Sequence, residues 1–280
     1  MAGRLPIDIV SDGVLTRTVA DTAAFYAALE QRQPAAALPP VGRVEGPAER
    51  RSRIGLWLHH PLGYDLHPEV VATVEQVAAQ CARAGHEFVD VPSVVDEAMA
   101  EDFFLYWARM AASIHYLGGL AFGRGFDRSQ LEPLTRRLSG HYLRNIWRSP
   151  GAIRRLRRFA AEYQALFQHC DLILSPVLAS PPVELGYLAL DLDLATTMER
   201  LRRYTAFTPP QNVAGTPAIS LPLGLTRGGL PIGVQFAAAM GDERRLLEIA
   251  FELEAQMPWS YPFLATGSAV AGAETGDALP

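Results

Sequence analysis

Residues 53–91 carry the pattern that most restricts what this chain can fold into. Arg53-Ile54-Gly55-Leu56-Trp57-Leu58 is a short apolar run that reads as a strand. Behind Pro68, the residues Val70, Val71, Val74, Val77, Ala78 and Cys81 recur on one helical face, and Gly85 stands where that helix has to end. Residues 86–91 supply a second strand run. Two strands joined through a helix pair in parallel with a right-handed crossover, because only that hand returns the helix onto a twisted sheet. The expected class is therefore α/β, with Cys81 as a core residue on the helical stripe and not a reactive thiol.

The remaining segments extend this plan. Val19, Ala23, Phe25, Tyr26 and Leu29 predict a helix capped by Thr16 or Thr18, and residues 31–52, rich in Ala, Pro and Arg, read as a surface connection. Residues 94–167 are mostly helical, with aromatic residues gathered around Phe103, Phe104, Tyr106, Trp107, His115 and Tyr116 and a predicted break at Gly118, Gly119, Gly123 and Gly125. Strand runs follow at 171–175, ended by Pro176, at 218–221 and at 230–236, the last entered through the turn Arg227-Gly228-Gly229. Residues 242–256 predict a helix with Asp242 as N-cap and Leu246, Leu247, Ile249, Ala250 and Leu253 inward. The folded unit is expected over 1–264, with the small, aperiodic residues 265–280 as a disordered tail.

Composition excludes several classes of chemistry. All 25 basic residues are arginines, from Arg4 to Arg245, so the chain has no lysine. It cannot form a Schiff base with pyridoxal phosphate, build a Walker P-loop or use an amine as general base. A GC-biased genome is the simplest cause. Two cysteines without metal-type spacing predict neither a disulfide framework nor a metal site, and the compartment reads as cytoplasmic. Arg4 and Asp8 interrupt the start, and no apolar run reaches membrane length, so no membrane association is expected.

Charge is unevenly distributed. Residues 133–161 hold eight arginines and no acid, which leaves −13 for the rest of a chain whose net charge is −5. A nucleic-acid surface is one reading. The other is a solvated helix face, because Ile153, Leu156, Phe159, Tyr163, Leu166 and Phe167 form an apolar stripe on the same helix. The stripe favours the solvated face, and no nucleic-acid partner is expected.

No catalytic motif is complete in spacing. His59, His60 and His67 lack a companion carboxylate or cysteine in ligand spacing, and Asp191 and Asp193 read as a loop pair, so neither a metal nor a cofactor is expected.

Several segments together resemble the amidase-signature hydrolases. Gly3-Arg4-Leu5-Pro6 and the run from Asp12 to Ala23, which reads DGVLTRTVADTA, resemble the segment that follows the family's catalytic core. A second match reads FTPPQNVAGTPAISLP from Phe207 to Pro222. It continues through Gly229-Leu230-Pro231-Ile232-Gly233-Val234-Gln235-Phe236 and Asp242 to Leu247, ending at Pro258-Trp259. Asp171-Leu172-Ile173-Leu174-Ser175-Pro176 also fits. The resemblance implies part of the amidase-signature fold, a mixed β-sheet covered by helices, without its N-terminal catalytic portion. It places Thr208 and Asn212 near the active-site region, as substrate-binding or backbone-capping residues; the aromatic pair Tyr106 and Trp107 is the further candidate for substrate binding.

The family hydrolyses amides with a Lys that serves as base toward a Ser in a cis peptide, which relays protons to a nucleophilic Ser. Its motifs, including a Gly-Gly-Ser-Ser-Gly-Gly loop, precede the segment with which this chain begins. No lysine and no Ser-Ser pair exists here to match them, so no catalytic residue is assigned. The expectations are a chain inactive alone, an N-terminal amidase half or self-association as partner, and a small-molecule amide as substrate once complemented. Alternatives are a non-catalytic binding module and an arginine-rich interaction protein. A mean hydropathy of +0.07 and missing central strands also predict exposed edges and apolar faces.

Overall fold

The computed structural model describes residues 6–33, 37–189 and 191–259; residues 3–5 of the first family match and the expected tail at 265–280 lie outside them. Strands β1 (Arg53–Leu56), β2 (Glu87–Val89), β3 (Leu172–Pro176), β4 (Ala218–Leu225) and β5 (Pro231–Ala238) form one sheet in the order β2-β1-β3-β5-β4. β1 pairs in parallel with β2 and β3, as the helix crossover requires, and β5 runs antiparallel to β3 and β4. The class is α/β with a mixed sheet.

Helices cover both faces. On one side α1 (Val19–Arg32), α2 (Pro68–Arg83) and α8 (Glu243–Gln256) pack with Ile54, Leu172, Leu174, Val234 and Phe236. On the other, α3 (Glu97–Phe122), α5 (Ser149–Leu166) and α7 (Pro209–Ala214) enclose Ile173 together with Tyr106, Leu156 and Tyr163. The helices α4 (Pro133–Asn145) and α6 (Leu194–Tyr204) lie outside this second layer, with Leu138 of α4 packed on α3. Local signals place most ends. The Thr18 side chain accepts from the Asp21 amide, Pro68 opens α2, Gly85 follows it at φ +94°, and Gly215 ends α7 in the left-handed region at φ +68°. Val70, Val74, Val77 and Cys81 are buried along the α2 stripe, and burial pushes the Cys81 thiol up to about 12 and that of Cys170 to about 11, which makes both poor nucleophiles.

Four local expectations are corrected. Helix α3 runs unbroken through Gly118 and Gly119 to Phe122, with the break at Gly123 (φ +83°). Gly118 is a packing residue, since a Cβ there would lie 2.3 Å from the Phe126 ring. The strand run expected at 218–221 continues through Pro222 to Leu225 as β4, whose outer edge needs no N–H from the proline, and a bulge lies between Leu221 and Gly224. β1 stops at Leu56 and β2 spans only Glu87–Val89. Asp242 occupies the N-cap position of α8, but its carboxylate accepts from Arg245 Nε at 2.6 Å and caps no amide.

Where β1 meets the second layer, Gly55 has no room for a side chain: an added Cβ would fall 2.7 Å from Cγ2 of Val91. Gly55→Ala is therefore expected to lower stability by about 1–3 kcal/mol through overpacking. Urea unfolding would read this as a lower midpoint at an unchanged slope, and an unaltered midpoint would show that the contact is soft.

Candidate functional site

The outer edge of β4 carries no strand partner among the described residues. Along this edge runs a cleft of about 630 Å³, walled by residues 11–19, α7, residues 215–222 and the start of α8. A second cavity of about 590 Å³ lies between α3, α6 and the segment 205–212. Ser11, Thr208 and Asn212 line both spaces, so the two meet at these residues. Thr208 and Asn212 stand four positions apart across α7, a spacing that sets them on one face.

Their local chemistry fixes that junction. Asn212 Nδ2 donates to the Ile9 carbonyl at 2.8 Å and holds the segment that leads to Ser11. Thr208 Oγ1 donates to the Thr205 carbonyl at 3.3 Å. Of the two aromatic candidates, Trp107 lines the apolar cavity, whereas Tyr106 is buried beside it. The Tyr106 hydroxyl donates to the Ile7 carbonyl at 2.6 Å and accepts from the Ile7 amide at 3.0 Å, which fastens the first segment to α3. Three of the four sequence candidates thus gather at the junction and cavity, and Tyr106 supports them from behind.

Sequence reasoning did not single out the polar row beneath the cleft. Register aligns Ser175 of β3 with Gln235 of β5 and Gln235 with Ser220 of β4. Gln235 Nε2 donates to Ser175 Oγ at 3.4 Å and to the Phe207 carbonyl at 3.3 Å. In the amide orientation that satisfies all its neighbours, Gln211 donates to the Thr208 and Phe207 carbonyls at 3.0 and 2.9 Å. Its oxygen then accepts from the Tyr163 hydroxyl and Gln235 Nε2 at 2.9 and 3.2 Å. Burial raises the Tyr163 phenol far above its ordinary range, so it stays a neutral donor. The available signal was a glutamine at an inward position of an otherwise apolar strand. Thr216, in the cleft wall, is 6% exposed, and its hydroxyl is buried without a hydrogen-bond partner.

The other polar clusters have structural duties. His67 caps α2, while His60 Nδ1 accepts from the Leu62 amide and burial holds its imidazole below the usual histidine range. Asp193 caps α6, and the Asp191 carbonyl accepts from Arg137. In the arginine-rich stretch, Arg155 grips the buried carboxylate of Asp102 through two bonds of 2.7 Å, and Arg157 donates to the Pro6 carbonyl at 3.1 Å.

The Amidase family model matches residues 2–247, and the chain belongs to that family. It is 43% identical over 259 residues to the putative amidase AmiC of Mycobacterium leprae, covering 92% of this chain and 55% of that protein. It is 30% identical over 265 residues to the 6-aminohexanoate-cyclic-dimer hydrolase of Pseudomonas sp. (strain NK87), covering 89% and 54%. Among solved structures, 6-aminohexanoate cyclic dimer hydrolase complexed with substrate superposes with a TM-score of 0.75 at 28% identity, over 87% of this chain and 54% of that one. A bacterial aryl acylamidase of the amidase-signature family gives 0.66 at 22% identity, over 94% and 55%, a likeness of fold. The chain spans about half the length of these relatives.

The orphan hydroxyl of Thr216 gives a test of this geometry. Replacing it by a methyl of the same shape removes an unpaired buried polar group, so Thr216→Val is expected to stabilise the isolated chain by about 1 kcal/mol. That gain corresponds to a Tm rise of roughly 2–4 °C. A fall in Tm would show that the hydroxyl is hydrogen-bonded in solution.

Proposed function

We propose that this chain contributes the substrate cavity and one wall of an amidase site, which hydrolyses a carboxylic amide once another segment supplies the catalytic Lys and paired Ser. That segment has the character of an N-terminal amidase half, in the same polypeptide or a separate one, and occupies the cleft beside β4. The observation that carries this reading is the junction itself: a cleft on an open sheet edge meets a mainly apolar cavity at Ser11, Thr208 and Asn212. An amide lodged there would have its side group in the cavity and its C–N bond facing the cleft.

Exposed apolar side chains support an occupant of the cleft. Leu15 is fully exposed and Phe25 of α1 is 41% exposed, on the segment and helix that border it. Open edges and uncovered apolar surface of this kind are ordinarily buried by a further strand, segment or partner. Arginine cannot stand in for the missing base, because its guanidinium stays protonated at any pH the fold would survive. A non-catalytic binding role is the second reading, and it draws on the same cavity, which is formed by this chain without help from another.

Mixing or co-expressing the chain with an amidase N-terminal half that carries the Gly-Gly-Ser-Ser-Gly-Gly loop tests the proposal. Hydrolysis of an aryl amide should appear only with both parts, and should vanish when the lysine of the added half is changed to alanine. Turnover by the 280-residue chain alone, blocked by a serine-directed inhibitor, would refute it.

A further inference from the structure

We infer that the cavity between α3 and α6 is a binding site for an uncharged apolar group, an aryl ring or an alkyl chain, and that it excludes carboxylates and ammonium groups. Its walls are Phe103, Trp107 and Met110 of α3 and Met198 and Leu201 of α6. At about 590 Å³ it falls within the range of about 300–1,000 Å³ common for small-molecule pockets. The hydrogen-bonding side chains of the lining are Ser11, Thr208 and Asn212 at the junction with the cleft, together with Thr205, Arg202 and the indole N–H of Trp107.

Charge decides the ligand class. The one ionisable residue in the lining is Arg202, and its guanidinium faces Glu97 at 3.8 Å. A ligand carboxylate would compete with Glu97 for that cation, and a ligand ammonium would find no carboxylate in the lining at all. Moving either from water into walls of Phe, Trp, Met and Leu is strongly unfavourable unless it is paired. An uncharged ring or chain meets no such penalty and gains from each apolar surface covered. The methionines sharpen the expectation further. Met99, Met110 and Met198 all line the cavity, and their unbranched, polarisable side chains can close around groups of different outline. The site should therefore select for lack of charge more than for one shape.

The orientation of an amide, with its carbonyl at Thr208 and Asn212, rests on the function proposed above, but occupancy of the cavity does not, so the two can fail separately. Titrate the isolated chain, carrying ¹³C-methyl methionine, with propionanilide and with its charged analogue 4-propionamidobenzoate. Saturable shifts are expected at Met99, Met110 and Met198 with propionanilide, with Met240 and Met257 unmoved, and at least tenfold weaker binding of the carboxylate. Ala100→Trp, which fills the cavity from α3, should weaken propionanilide binding at least tenfold while the circular dichroism spectrum is retained. Absence of saturable shifts, shifts at Met240 or Met257 instead, or equal binding of the carboxylate would each overturn the inference; the methyl shifts decide it even if the Trp variant does not fold. Binding without hydrolysis in the complemented mixture would leave this site standing and remove the catalytic reading.

Discussion

The pairing of β3 with its two neighbours is the constraint from which the site follows. Leu172, Ile173 and Leu174 are at most 1% exposed, held between β1 in parallel and β5 in antiparallel. Alternation along a strand sends Leu172 and Leu174 into the core with α2 and α8 and turns Ile173 and Ser175 toward α5 and α7. Ser175 then lies opposite Gln235, and Gln235 opposite Ser220, so register alone draws a polar row from the buried centre of the sheet to its open edge. A slip of one residue in β5 would put Val234 or Phe236 in place of Gln235 and leave Gln211 and Ser175 facing hydrocarbon. Burial of Val234 and Phe236 in the opposite core forbids that slip.

The second layer is assembled by long-range bonds to backbone. Tyr106 holds Ile7, Asn212 holds Ile9 and Arg157 holds Pro6, three anchors from α3, α7 and α5 on one short extended segment. That segment has no helix or strand of its own before α1, so these side chains take the place of a ladder in fixing it. Fixing it brings Ser11 to the mouth of the cavity. The cavity is consequently a property of tertiary closure, and each of its walls depends on residues far away in sequence.

This explains how far the residues alone could be read. The βαβ unit, the α2 stripe, the Thr18 cap and the left-handed Gly215 all rest on local rules, and each stands in the structure as the local pattern requires. Thr208, Asn212 and Trp107 were found because they lie in or near recognisable segments, and the fold brings them to one place. The duties of Tyr106, Gln211 and Gln235 were not legible, since each depends on a partner at least twenty-eight positions away that no local pattern names. Gly118 misled for a related reason: a helix-breaking residue is tolerated within α3 where the Phe126 ring occupies the space of a side chain.

The absence of lysine has different physical meanings in different parts of such a protein. Around the cavity the cations work through geometry: Arg155 takes both oxygens of Asp102, a carboxylate 4% exposed, and thereby locks α5 to α3 one residue before Phe103. A planar fork can hold a buried carboxylate in this bidentate way, while a lysine would offer one ammonium to two oxygens. For these contacts arginine is the better choice, whatever genomic bias favoured it. A proton-abstracting base has the opposite requirement, an amine that can lose its proton near neutral pH, and no environment in a folded protein brings a guanidinium there. A chain whose cations are all arginines can therefore build this fold and clamp its helices tightly, yet it holds no lysine side chain with which to abstract a proton.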